Sequence, residues 1–395
     1  MHSVEEARAA VLATAHLVGD EEVTLAEAHG RILREDQYAV HDVPAWPTSA
    51  MDGFAVRVSD LLRFRIVAES AAGAPRLEQI SIGEAAPIST GAWLPPGAET
   101  VVPIEACVLD GDHVLLSEKP HLGQFVRERA SELVAGERLL RTGDELGAAA
   151  VALLAAQGRA RVRVARKPRV AILSMGLELR PLGEALAAGQ LYDANGPALA
   201  ALCHEAGATA TVMPLVGDDE AALADTLASV EADLVLTSGG ASVGKHDHLR
   251  GAITRAGGEV LLWRVAMKPG KPMVLAKLRD RPLVGLPGNP VSAMVSFSLF
   301  VRPLLRKLLG TEPAFDAAQV HATLAAPLTV SGDRRTFLRA RIYPVGAELR
   351  ADLAARQGSA ALISMRGANA LVEVPAGDHH YDAGAVLPAW LFAPL

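Results

Sequence analysis

From residue 167 onward the apolar positions follow a repeating alternation. Short runs rich in Val, Ile and Leu (RVAILS, TATVMPLV, DLVLTS, EVLLWRV, PMVLAKL and PLVGLP) are separated by longer amphipathic stretches such as GPALAALCHEAGA and DEAALADTLASVEA. Short apolar runs bounded by Gly and Pro read as buried strands and the stretches between them as crossover helices, so 167–310 predicts an α/β domain with a mainly parallel sheet. A long helix should close it, starting at Asn289-Pro290 and stopping near Gly310, because Asn suits the N-cap and Pro the first helical position.

Before 167 the pattern changes twice. Ser3 to Glu6 forms a capping box, and Val4, Ala7, Val11, Ala15 and Val18 recur at helical spacing. A second box, Thr24 to Glu27, opens a short helix ending near Gly30. From 41 to 136 short apolar runs alternate with Gly and Pro, as in GAPRLEQISIGEAAPISTGAWLPPGAETVVPIEACV, which predicts a β-rich module. Residues 137–166 return to helix and strand, so 41–136 reads as an insertion. The tail, 311–395, is short strands with turns such as SGDRR and predicts a small β domain.

Composition sharpens this picture in a few places. A chain of 395 residues is too long for a single core. Only 4% of residues are aromatic, so Ala, Val and Leu must fill the interior. The net charge of −7 gives no global signal for nucleic acid or anionic membrane, and any anion site must be local. The longest apolar stretch, around 290–301, is broken by serines and ends at Arg302, which fits a core helix rather than a membrane span. Cys107 and Cys203 lack a metal-like spacing and make a disulfide framework unexpected. With early acids and no basic leader at the N-terminus, a cytoplasmic location is expected.

Three loops fall at carboxyl ends of predicted strands, where open α/β sheets bind ligands. In MKPGKP, Lys268 and Lys271 bracket a Pro-Gly pair. Beside them the helix after Pro287-Gly-Asn-Pro290 offers unpaired amides at Val291 and Ser292 and the Ser292 hydroxyl. Together they can cradle an anion; the same stretch also reads as a tight turn with solvated lysines. In Ser238-Gly-Gly-Ala-Ser-Val-Gly-Lys-His-Asp247, Gly239, Gly240 and Gly244 allow close backbone approach and Ser238 and Ser242 supply hydroxyls, a phosphate nest that matches neither Walker A nor a dinucleotide fingerprint. Asp247 and Asp218-Asp219 are hard oxygen donors near that nest and suggest Mg²⁺. Asp219 reads better as a helix cap, and for Asp247 the metal and cap readings both stand.

Taken in order, SAMDGFAV (49–56), TGAWLPPGAETVV (90–102), SGGASVGKHD (238–247), MKPGKP (267–272), GLPGNPVSAM (285–294) and SMRGANALVEVP (364–375) resemble the molybdopterin molybdenumtransferases, the bacterial MoeA family that includes the E domain of gephyrin. The resemblance implies a discontinuous elongated domain (1–40 and 137–166), an inserted β domain (41–136), an α/β molybdopterin-binding domain (167–310) and a C-terminal β-barrel-like domain (311–395). It implies insertion of molybdate into adenylylated molybdopterin with release of AMP, assisted by Mg²⁺. The protein would be a homodimer whose active sites are shared between subunits, with transient contacts to the molybdopterin adenylyltransferase and to acceptor molybdoenzymes.

By the same resemblance Lys268, Lys271 and Ser292 hold molybdate, helped by Arg335 and Ser364. Ser238, Gly239, Gly240, Ser242 and Gly244 hold the pterin phosphate with Asp193, Asn195, Pro287 and Pro290. Asp247, Asp218 and Glu178 match acids implicated in metal binding or pyrophosphate cleavage, and Asp52 and Thr90 match positions contributed across the dimer. The chain departs from the family pattern in SMGLEL (174–179), where Met175 and Leu177 replace a hydroxyl and a carboxylate. It departs again at Ala130-Ser131-Glu132 and at Lys245-His246. These losses of negative charge motivate alternatives: a molybdopterin-binding paralogue with impaired catalysis, or a scaffold of the same family.

Overall fold

A computed structural model describes residues 1–215, 217, 219–240, 248–311 and 319–395. The chain divides into two compact units, Met1–Arg34 with Gly143–Gly147 and Arg161–Leu395, and Glu35–Thr142 with Ala148–Ala160.

The α/β pattern read from the sequence is present in the first unit. Its sheet comprises β1 (Arg169–Ser174), β2 (Thr209–Val212), β3 (Leu234–Ser238), β4 (Gly258–Trp263), β5 (Val274–Leu278) and β6 (Arg281–Leu286), in the spatial order β2-β1-β3-β6-β5-β4. The pairings from β2 through β6 are parallel, while β5 and β4 add antiparallel at one edge. Alternate residues of each strand serve opposite faces. Val170, Ile172, Leu234, Leu236, Val284 and Leu286 pack in one core cluster, beneath α1 (Asn195–Glu205) and the C-terminal helix. Ala171, Leu173, Val235 and Leu283 pack in another, beneath α2 (Glu220–Ser229) and α3 (His248–Arg255). Burial on both faces explains why these strands read as continuous apolar runs.

The closing helix runs as α4 (Pro290–Ser296), a π-helical turn (Phe297–Val301) and a last α-helical segment (Arg302–Leu308). It stops where expected, with Gly310 at φ +81°. The capping box at residue 3 forms. Ser3 Oγ accepts from the Glu6 amide at 3.0 Å and the Glu6 carboxylate accepts from the Ser3 amide at 2.8 Å. That starts the helix Val4–Ala13, whose Val4, Ala7 and Val11 join the same core as the closing helix. The second box starts only a single 3₁₀ turn, Leu25–Glu27. Strand Asp20–Thr24 pairs with Arg161–Ala165.

The tail is a closed five-stranded barrel. Arg335–Val345 pairs with Glu348–Leu353, which pairs with Gln319–Leu324, then Val386–Leu391, then Ala370–Val374, which returns to the first. Met267–Lys268 adds to it in parallel through Arg335 and Thr336, so the lysine loop is tied to both the α/β sheet and the barrel.

The second unit is β-rich. Its largest sheet has six strands in the order Thr100–Pro103, Gly53–Val56, Glu84–Ile88, Arg63–Ile66, His113–Leu116, Cys107–Asp110. Gly53 is required there: an added Cβ would lie 2.0 Å from the Val102 carbonyl oxygen.

Candidate functional site

At the carboxyl ends of β1, β3 and β6 three loops are fastened by one side chain. Asn195, at the start of α1, donates from Nδ2 to Ser238 Oγ at 2.6 Å and to the Gly288 carbonyl at 2.7 Å. Asp193 Oδ1 accepts from the amides of Asn195 and Gly196, both at 3.0 Å, and so caps α1. Both residues are buried. After β3 the backbone turns at Gly239 (φ +92°) and Gly240 (φ +68°), where an added Cβ would come within 2.5 Å of the Met175 carbonyl oxygen and 2.8 Å of Met175 Cε. Only glycine fits this turn. Met175 itself is buried beneath it and joins the core under α2 and α3. The side chain that departs from the family pattern therefore packs the floor of the glycine turn.

The lysine loop is held just as firmly. Val265 donates to the Lys271 carbonyl at 3.0 Å and Arg264 to the Met273 carbonyl at 2.8 Å. Gly270 sits at φ +112°, and a Cβ there would meet Met267 Cε at 2.7 Å and Ser296 Oγ at 2.8 Å. Pro269 and Gly270 are buried while Lys268 and Lys271 are exposed, so a fixed backbone presents two solvated ammonium groups. Among the described residues neither lysine has an ion-pair partner. Asn289 occupies the N-cap position of α4, yet its side chain makes no capping bond. It donates to Ser359 Oγ at 3.0 Å instead. The Val291 and Ser292 amides have no intrahelical acceptor, as in any first turn.

These groups line one cleft of about 920 Å³. Of the residues singled out in the sequence, it brings together Glu178, Asp193, Asn195, Ser238, Gly239, Gly240, Lys268, Lys271, Pro287, Pro290 and Ser292. Arg335 and Ser364 are placed elsewhere. The Arg335 guanidinium pairs with Glu5 and, at 3.2 Å, with Glu373. It is the neighbouring Arg334 that lines the cleft. Ser364 is buried and accepts from Arg339 Nε at 3.1 Å. Arg339 also donates to the carbonyls of Arg356 and Gly358, at 3.3 and 3.2 Å, and so supports the segment Gln357–Ala360 that forms the barrel side of the cleft. Burial lowers the Arg339 pKa to about 10, which leaves it a cation at neutral pH. The sequence reading missed Arg334 and Gln357–Ala360. The available signal is Asn289, which the sequence presents as a cap and whose amide spans to Ser359.

Asp52 and Thr90 lie in the second unit and meet each other. Asp52 Oδ1 accepts from the Thr90 amide at 2.6 Å and from Thr90 Oγ1 at 3.0 Å. Those two bonds hold the exposed carboxyl below the usual aspartate range. Asp218, Ser242, Gly244 and Asp247 lie outside the described residues. Asp219 is a cap, accepting from the Ala221 and Ala222 amides at 2.9 and 3.3 Å. Both cysteines are free, and burial pushes Cys107 to about 11 and Cys203 to about 12, so neither is a thiolate nucleophile at neutral pH.

Comparison with known proteins matches three regions of the chain. Residues 2–158 match the MoeA N-terminal region (domain I and II), 171–307 a probable molybdopterin binding domain, and 321–392 the MoeA C-terminal region (domain IV). A molybdopterin molybdenumtransferase of Nostoc is 37% identical over 380 residues, covering 92% of this chain and 86% of the relative. The chain belongs to the molybdopterin molybdenumtransferase family. Another member, molybdopterin molybdenumtransferase 2 of Mycobacterium tuberculosis, is 34% identical with 99% of each chain covered. A crystal structure of the molybdopterin biosynthesis MoeA protein of Pyrococcus horikoshii superposes with a TM-score of 0.84 at 32% identity, covering 100% of this chain and 99% of that one. Among the described residues no helix is long and apolar enough to cross a membrane.

Proposed function

We propose that this enzyme inserts molybdate into adenylylated molybdopterin in the cleft, releasing AMP and molybdenum-loaded molybdopterin. The observation that carries the proposal is the pairing, in one cleft, of a two-lysine loop beside an uncapped helix start with a glycine turn at the end of β3. Molybdate is a compact dianion. Lys268 and Lys271 supply its counter-charge, and the Ser292 hydroxyl with the first-turn amides of α4 supplies directed donors. The substrate phosphates lie over the tight turn at Gly239 and Gly240, whose missing Cβ atoms let the backbone close down on Met175 beneath it. Asn195 and Asp193 act as positioning residues, because their polar atoms are already engaged by Ser238, Gly288 and the start of α1.

Magnesium belongs to the proposal as well. Mg²⁺ is held through one or two carboxylates plus substrate phosphates. Among the described residues no three acids or histidines cluster, but the exposed Glu178 carboxylate lines the cleft and suits that mode. Bound there, the ion would offset phosphate charge during cleavage of the anhydride. We further propose a cytoplasmic homodimer that receives its substrate from the adenylyltransferase and passes product to acceptor molybdoenzymes. Asp52 and Thr90 of one subunit would serve the cleft of the other.

The reaction is tested by product capture. The purified chain, given adenylylated molybdopterin, molybdate and Mg²⁺, should activate a molybdopterin-free acceptor enzyme; no activation in excess molybdate counts against the proposal. The shared site is tested by a mixed dimer of an Asp52→Ala subunit and a Lys271→Ala subunit. One composite site collects both lesions and the other neither, so about half the wild-type activity should return per dimer. Activity no higher than that of either mutant homodimer would reject it.

A further inference from the structure

We propose that Glu5 and Arg335 form a clamp that positions the lysine loop, so that Arg335 serves oxyanion binding through the backbone of Met267 and Lys268 rather than by touching the ion. The inference rests on the function proposed above. It gives a part in the cleft to a residue that does not line it.

The segment that carries the lysines is supported on both sides. Before the loop, His2 bridges to Val265 in parallel. The His2 amide donates to the Arg264 carbonyl at 3.2 Å, and the Ala266 amide donates to the His2 carbonyl at 2.8 Å. Next, Met267 and Lys268 pair with Arg335 and Thr336 of the barrel. Between β4 and the loop, Arg264 sits at φ +70° without being glycine. Such a backbone persists only where its surroundings hold it.

Side chains join the two supports. Glu5 lies in the first turn of the helix Val4–Ala13, directly after the His2 bridge. Its carboxylate accepts from Arg335 Nη1. Arg335 also lies 3.2 Å from Glu373, which accepts from Trp390 Nε1 at 2.6 Å. The Arg8 guanidinium sits 4.7 Å over the Trp390 ring. Beside this network Val4 and Ala7 share a core with Phe337 and Leu371 of the barrel, so the helix is seated there by apolar contact as well. Burial alone would raise the Glu5 pKa, yet the Arg335 bond holds it below the usual glutamate range, so the pair is ionised at neutral pH. The path closes on itself. It runs from His2 to Glu5, across to Arg335, along its backbone to Met267, and back through Ala266 to His2.

A guanidinium shared by two carboxylates is a poor oxyanion ligand, because its charge is already offset and its donors are engaged. The clamp and a direct contact therefore predict opposite signs for the loss of Glu5. A direct ligand would be freed, and the dianion would bind more tightly. A clamp would loosen, and the dianion would bind less tightly.

The test is Glu5→Gln in the full-length protein, which keeps the size and helical preference of the side chain and removes its charge. Hydrogen exchange at residues 264–268 should accelerate about threefold, the scale of one partly exposed ion pair, while exchange in β3 stays unchanged. Molybdate affinity by equilibrium dialysis should fall by about the same factor. Arg335→Met removes both ion pairs and should have the larger effect, and adding Glu5→Gln to it should change nothing further. Unaltered exchange at 264–268 in Glu5→Gln overturns the clamp whatever the affinity shows. Unchanged or tighter molybdate binding in that variant overturns it as well. A wild type that binds no molybdate refutes the proposed function, and exchange at 264–268 then decides by itself whether the clamp holds the loop.

Discussion

Removing the Asn195 side chain should loosen the cleft from its floor. Asn195→Ala deletes two hydrogen bonds, to Ser238 Oγ at 2.6 Å and the Gly288 carbonyl at 2.7 Å, in surroundings where Asn195 is 9% and Ser238 2% exposed. Each bond contributes about 1 kcal/mol net, so the variant should lose about 2 kcal/mol of local stability. A chain with several compact parts has no single unfolding free energy, so native-state hydrogen exchange at the ends of β3 and β6 is the right assay. Protection there should fall about thirtyfold, the equivalent of about 2 kcal/mol. Asn195→Asp adds a pH signature. The introduced carboxyl is buried against the Gly288 carbonyl oxygen, so its folded-state pKa is raised above the unfolded value. Its penalty is therefore absent below the unfolded pKa and grows as pH rises through the folded one. Unchanged protection in Asn195→Ala, or a pH-independent Asn195→Asp, would refute the view that this side chain ties the three loops together.

Other perturbations follow from the same geometry. Gly270→Ala must place a Cβ within 2.8 Å of Ser296 Oγ at φ +112°, so it should displace the lysine loop and weaken molybdate binding by equilibrium dialysis without removing either lysine. Thr90→Val removes one of the two donors that lower the Asp52 pKa, so NMR titration should find that carboxyl moved back toward the usual aspartate range. Burial alone would raise the pKa of Asp233, but the bidentate Arg166 pair at 2.7 and 2.6 Å and the Arg169 amide outweigh it and hold it low. Its contribution is thus present above the unfolded aspartate pKa and lost as pH falls through the lowered folded value. Arg166→Ala should cost about 3 kcal/mol near neutral pH, at the low end for a broken buried pair because Arg166 is 31% exposed, and less in acid.

The α/β sheet was legible because its strands are buried on both faces and its helices carry their own caps, Asp219 among them. The lysine loop and glycine turns were legible because Gly239, Gly240 and Gly270 occupy conformations that only glycine tolerates well. Two kinds of information were not local. Arg334 and Arg335 are adjacent, and only the pairing of Met267–Lys268 with Arg335–Thr336 decides which one faces the cleft. Asn289 satisfies every rule for a cap, yet a barrel residue seventy positions away takes its amide. Met175 likewise reads as a lost hydroxyl until its place beneath Gly240 makes it a packing residue.

Single-turnover release of AMP from adenylylated molybdopterin, followed with and without molybdate in wild type and Lys271→Ala, tests the central claim most directly. The account predicts molybdate-dependent release by the wild type. In a folded Lys271→Ala protein the molybdate concentration required should rise about tenfold or more, since a charge-assisted contact contributes about 1.5–3 kcal/mol. Release that is indifferent to molybdate, or a Lys271→Ala protein with an unaltered molybdate requirement, would contradict it.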